Sequence, residues 1–123
     1  MAARQRSISI DEHGDVTVVR LVGEHDLATA EEVRNRLESC VSSETGLVVS
    51  LMETEFLDSS ILNALFDANA QLKERHRQLV LHVATASIVE RVLDVSGLKH
   101  AVPCTGSLDA AVALARPGVE RRP

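Results

Sequence analysis

The chain has no tryptophan and no tyrosine, and its only aromatic residues are Phe56 and Phe66. Nucleic-acid stacking platforms depend on such side chains, so that class of partner loses its usual anchor. Basic residues are in the minority as well. The 13 Lys and Arg stand against 18 Asp and Glu, a formal net charge of -5, which is the wrong sign for neutralising a phosphate backbone. No apolar run approaches the ~20 residues that span a bilayer. The opening Met1-Ala2-Ala3-Arg4-Gln5-Arg6 has charge without an apolar stretch behind it, so a secretory signal is not supported. Cysteine is limited to Cys40 and Cys104, far apart and outside any CxxC or Cys/His cluster. That spacing argues against a zinc site and gives little support to a disulfide framework, and both residues read as core or near-core thiols. Together these absences predict a soluble chain in a reducing, cytoplasmic compartment, with no cofactor, no metal, no nucleic acid and no membrane as partner.

What is present is aliphatic. Hydrophobic residues make up 45% of 123 residues, enough for one domain around a single Leu, Val, Ile and Ala core. The expected domain covers 7–115, between a flexible N-terminus at 1–6 and a flexible tail at 116–123. Ser7 to Ile10 and the β-branched run Val16 to Val22, joined by His13-Gly14-Asp15, predict a β-hairpin. Thr29 followed by Glu32 has the form of a capping box, with Val33, Leu37 and Val41 at helical spacing, and predicts a helix over about 30–40. Gly46 opens the apolar run Leu47-Val48-Val49-Ser50-Leu51, whose length and branching predict a central strand covered on both faces.

Asp58-Ser59-Ser60 supplies cap residues for a second helix running to about His76, with Ile61, Leu62, Leu65, Phe66, Ala68 and Leu72 on one stripe. Gln78 to Val83 reads as a strand. Ser87 with Glu90 forms another capping box, ahead of Ile88, Val89, Val92 and Leu93, and Gly97 is a left-handed stop. Val102 falls in a short strand, and Ser107 caps a last helix through about Ala115. Strands alternating with helices require crossovers, so the expected architecture is an α/β fold: a mixed, mainly parallel sheet of four to five strands flanked by about four α-helices.

Two strand-to-helix junctions carry acidic and hydroxyl side chains: Gly23-Glu24-His25-Asp26-Leu27 and Phe56-Leu57-Asp58-Ser59-Ser60-Ile61-Leu62. With the element order, and with Leu93-Asp94-Val95-Ser96-Gly97-Leu98 after the third helix, the chain resembles the STAS domain of bacterial anti-sigma factor antagonists and sulfate-transporter tails. The resemblance covers roughly 7–115. It implies that Ser60, the second hydroxyl of the Asp-Ser-Ser motif, is the phosphorylation site, with Ser59 as the alternative acceptor. It also implies a partner-binding patch of Glu24, His25, Asp26, Asp58, Ser59, Ser60 and Ile61. Ile61 and Asn63 stand where the family usually has glycines, and His25 replaces an apolar residue; His25 reads as an exposed loop imidazole.

The family scheme implies that the unphosphorylated chain binds an anti-sigma factor with serine kinase activity and frees a sigma factor, and that a serine phosphatase reverses the modification. The implied state is a monomer or weak dimer. A serine in the first helical turn tolerates a phosphate, because free N–H groups and the positive dipole end favour an anion. Two other readings stand beside this one. Asp58-Ser59-Ser60 is also an ordinary cap, and the chain is also readable as a STAS scaffold module that is not phosphorylated. An enzyme built from Ser60, His25 and Asp26 or Asp58 is disfavoured, since no Gly-x-Ser-x-Gly elbow or Gly-rich cradle accompanies them.

Overall fold

A computed structural model describes residues 5–118. Its elements are β1 (Ser7–His13), β2 (Val16–His25), α1 (Leu27–Ser42), β3 (Gly46–Ser50), β4 (Thr54–Leu57), α2 (Ser59–Glu74), β5 (Leu79–His82), α3 (Ile88–Ser96), α4 (Leu98–Ala101), β6 (Cys104–Thr105) and α5 (Leu108–Ala115). The sheet runs β1-β2-β3-β5-β6, with β1 antiparallel to β2 and the other neighbours parallel. This is the mixed α/β sheet expected, with β4 and the single-turn α4 in addition. The expected flexible ends lie mostly outside the described residues. Among those described, Arg6 pairs with Asp26 and Arg116 with Asp15.

The central strands are covered on both sides, as their unbroken apolar runs require. Val19, Leu21, Leu47, Val49, Leu51, Leu79 and Leu81 face the main core under α1, α2 and α3. Val16, Val18, Val48 and Val80 face the opposite side, where α5 lays Ala111, Val112 and Ala115 over them. Gly46 permits this second layer. A Cβ there would lie 1.7 Å from the Ala115 carbonyl oxygen, so only glycine lets α5 end against the start of β3.

Three helix starts follow the cap chemistry. Asp58 caps α2, Ser87 caps α3 by accepting from the Glu90 N–H, and Ser107 caps α5 by accepting from the Ala110 N–H. The first helix departs from expectation. Its cap is Asp26, whose side chain accepts from the Ala28 N–H, so the helix begins at Leu27 and Thr29 sits inside its first turn. The strand expected at Val102 is displaced to Cys104–Thr105, because Val102 is needed to close α4.

β4 shapes the functional end of the molecule. It pairs in parallel with the far end of β2, Gly23 with Thr54, Glu24 with Phe56 and His25 with Leu57, and the register shifts at Gly23/Glu24. Gly23 has φ 86, a left-handed conformation that suits glycine at such a bulge. The pairing carries the ends of β2 and β4 side by side into α1 and α2.

Candidate functional site

The two acidic and hydroxyl junctions become one site because β2 and β4 deliver their helices in parallel. The Asp58 backbone N–H donates to the His25 carbonyl oxygen at 3.3 Å, tying the second junction to the first. At the centre is the Asp58 carboxylate. It accepts the Ser60 N–H at 3.0 Å, the Ser60 hydroxyl at 2.5 Å and the Ile61 N–H at 3.4 Å. These donors favour the ionised form. The Ser60 hydroxyl is the largest influence, and the carboxyl is held below its ordinary range despite partial burial.

This arrangement corrects the expectation of free first-turn N–H groups. The Ser60 and Ile61 amides that would have met a phosphate already serve Asp58. A phosphate on Ser60 therefore either confronts that carboxylate or displaces it. Ser60 is half-buried and Ser59 is exposed at the very start of α2. Asp26 lies nearby with Arg6 at 3.4 Å, and Glu24 is exposed on the last stretch of β2.

Two members of the expected patch lie inside. His25 is fully buried, not an exposed loop residue, because the β2–β4 pairing continues through it and α1 closes over it. Its Nε2 is 3.0 Å from the Val22 carbonyl oxygen and its Nδ1 is 3.1 Å from Thr29 Oγ1. Those partners leave no ring nitrogen for Ser60, so the nucleophile, base and orienter arrangement is not assembled. Ile61 is also fully buried and points into the core. The surface of the patch is thus Glu24, Asp26, Asp58, Ser59 and Ser60. Ile61, which replaces a glycine, adds no bulk outside; of the two departures only Asn63 is exposed.

An apolar surface beside the patch was missed in the sequence. On α3, Val89 and Leu93 are buried, while Ile88 is 77% exposed and Val95 82% exposed, with Val92 half-buried between them. Spacings of four and three residues place Ile88, Val92 and Val95 on one stripe, so α3 is apolar on two faces. With Leu62 of α2, two residues beyond Ser60, this second stripe lines a shallow groove rimmed by Arg91 and Ser96. Leu27, 76% exposed, and Phe56, about half exposed, add apolar surface at the two junctions.

A second polar pair lies away from this site. The Ser50 hydroxyl is 2.9 Å from His82 Nδ1 across β3 and β5, and the Gly106 backbone also contacts the ring. Burial pushes the His82 pKa down, the Gly106 contact opposes this, and the Arg20 cation adds to the lowering. Both residues are buried, which keeps the hydroxyl from solvent. Cys40, buried in the core, and Cys104, half-buried against it, are free thiols whose pKa values burial raises. Among the described residues no His, Cys, Asp and Glu cluster could hold a metal, and no helix is long and apolar enough to cross a membrane.

Comparison with known proteins places this geometry. A family model described as "Mlab, STAS domain" matches residues 8–113. An anti-sigma F factor antagonist of Paenibacillus polymyxa is 29% identical over 98 residues, 78% of this chain and 83% of the relative. The crystal structure of an anti-sigma factor antagonist from Mycobacterium paratuberculosis superposes with a TM-score of 0.80 at 24% identity, over 90% of this chain and 94% of that one. The Bacillus cell fate determinant SpoIIAA, in its phosphorylated form, superposes with a TM-score of 0.68 at 19% identity, over 88% of this chain and 99% of that one.

Proposed function

The chain belongs to the STAS domain family, and from that membership we propose that it is a cytoplasmic anti-sigma factor antagonist switched by phosphorylation at Ser60. In the unphosphorylated state it binds an anti-sigma factor that is also a serine kinase, and so regulates sigma-factor-dependent transcription. Phosphorylation releases the partner and a serine phosphatase restores binding. The observation that carries this reading is the Ser60 hydroxyl, set at the first turn of α2 on the Asp58 carboxylate, within a surface that also holds Glu24, Asp26 and Ser59.

The chemistry of the switch follows from that surface. A phosphoserine brings about -1.5 to -2 charges. Beside it lie a carboxylate at Asp58 and another at Asp26, and the nearest amides are already occupied. The added anion finds repulsion at home and presents a larger, strongly hydrated group to anything docked there. Truncated or desolvated charges at an interface cost several kcal/mol, on the order of 2–5, which is enough to release a partner. The groove of Leu62, Ile88, Val92 and Val95 supports the binding half of the cycle, because it supplies the apolar area that an acidic patch alone lacks.

The reading is tested by capture from the source cell with Ser60→Ala and Ser60→Glu variants, with mass spectrometry of the wild-type protein. Retention of a kinase-like anti-sigma factor by Ser60→Ala and its loss from Ser60→Glu is the expected result. If both variants capture the same proteins as wild type and no phosphate is found, the scaffold reading replaces the switch.

A further inference from the structure

The sheet has one long open edge. β1 pairs with β2 alone, and its register runs unbroken from Ser7 opposite Val22 to His13 opposite Val16, which leaves the outer row of β1 N–H and C=O groups without a strand partner among the described residues. The opposite edge, β6, is only two residues long. Edge strands are commonly shielded by proline, lysine, a bulge or a covering segment. β1, with the sequence Ser-Ile-Ser-Ile-Asp-Glu-His, has none of the first three. The Asp11 carboxylate is held by Arg20 of the neighbouring strand at 3.1 Å, and Glu12 has no ion partner among the described residues. Ile8 and Ile10 stand opposite Leu21 and Val19, so both turn to the main-core side, yet Ile10 is 38% exposed.

We propose that β1 is a pairing edge for a second copy of this chain, joined antiparallel across a two-fold axis into one continuous sheet. The axis is perpendicular to the sheet and keeps every residue on its own face, while residues directly opposite one another share a face. It must therefore pass beside a single residue that meets its own counterpart, since a slip by one would set inward against outward side chains. Centred on Ser9, the pairing sets Ile8 opposite Ile10 and Arg6 opposite Glu12, each twice. Centred on Ile8 it sets Arg6 opposite Ile10, and centred on Ile10 it sets Ile8 opposite Glu12. Of these three, only the Ser9 register matches apolar with apolar and charge with opposite charge. It covers Ile10, gives Glu12 a cation and draws Arg6 from its 3.4 Å pairing with Asp26, so that the cap of α1 gives up its counter-ion. β4 follows β3 after a short turn and lies along the β3 side of β2, so the Ser60 surface stays open in both copies.

The test uses the full chain in solution, with no other protein present. Sedimentation velocity over a series from about 10 μM to 1 mM spans the affinities of an interface as small as one strand pair. A wild-type monomer–dimer equilibrium inside that range is expected. Because the charge pair occurs twice, Arg6→Glu and Glu12→Arg should each weaken it about tenfold. The double variant restores the pair with its signs exchanged and should return to within about threefold of wild type. Amide exchange gives a second readout on the unaltered chain. Alternate β1 amides, those pointing away from β2, should exchange slowly at the concentrated end of the series and fast at the dilute end. A chain that stays monomeric throughout would overturn the proposal. So would a dimer whose β1 exchange does not depend on concentration, or one that is indifferent to the charge variants or not rescued in the double variant. If a variant fails to fold, the wild-type exchange decides alone.

Discussion

Replacing Asp58 with alanine removes the acceptor that caps α2 and holds the Ser60 hydroxyl, and its cost can be worked out from the bonds on the carboxylate. The cap itself, through the Ser60 and Ile61 amides, is worth about 1 kcal/mol, within a range of ~0.5–2. The Ser60 hydroxyl bond is to a charged acceptor, a class worth about 1.5–3 kcal/mol when buried. Because Ser60 is only half-buried and water can replace part of that bond, about 1 kcal/mol is the appropriate figure here. The sum is about 2 kcal/mol, a drop in melting temperature of roughly 6–12 °C for a domain of this size.

Asp58→Asn keeps an oxygen in place and removes the charge, so its loss should be about half as large. Urea unfolding followed by far-UV circular dichroism measures both, with the slope unchanged and only the midpoint moved. The pH dependence supplies an internal check. The folded pKa of Asp58 lies below its unfolded value, so its contribution is fully present above the ordinary carboxylate pKa of about 3.9. It is lost as pH falls through the lower, folded value. The Asn variant should lack that part of the acid limb. A loss below about 0.5 kcal/mol for Asp58→Ala, the level of an ordinary surface substitution, would refute the reading of Asp58 as cap of α2 and acceptor of the Ser60 hydroxyl.

Other parts of the molecule give independent expectations. His82 has a folded pKa below its unfolded value of about 6.5, so the unfolded chain binds the proton more readily; stability should fall as pH drops below about 6.5 toward the folded value, and His82→Gln should flatten that slope in thermal melts. Gly46→Ala forces a Cβ into the Ala115 carbonyl and should cost about 3 kcal/mol or more in urea unfolding, at the upper end of overpacking effects. Val95→Asp, at a position 82% exposed, should change stability by no more than about 0.5 kcal/mol, yet weaken partner capture at least tenfold in a titrated pull-down.

Much of this architecture was legible because single residues carried unambiguous signals. The length and β-branching of the run Leu47 to Leu51 pointed to a strand buried on both faces, and Asp58, Ser87 and Ser107 each stand one residue before a helix that begins where cap chemistry says it should. The start of α1 was ambiguous because Asp26 and Thr29 are both capping residue types, and the periodicity of Val33, Leu37 and Val41 is compatible with either. β4 escaped notice because Thr54–Leu57 is four residues long and is defined by its pairing with β2.

The burial of His25 follows from that same pairing, which no local pattern announces. An imidazole between Glu24 and Asp26 reads as exposed until β4 is in place. On α3, Ile88 and Val92 stand in the same apolar run as Val89 and Leu93, but only Val89 and Leu93 are buried. A nine-residue helix with apolar residues on two faces does not reveal from sequence which face meets its own sheet.

The most direct test of the central claim is to purify the protein from its source cells, resolve it by charge and map any phosphate by fragment mass spectrometry, while asking which fraction carries a partner. A more acidic fraction phosphorylated at Ser60 and free of partner, beside an unmodified fraction bound to an anti-sigma factor, is the predicted result. A single unphosphorylated population, or a Ser60 phosphate found equally in bound and free fractions, would contradict the account.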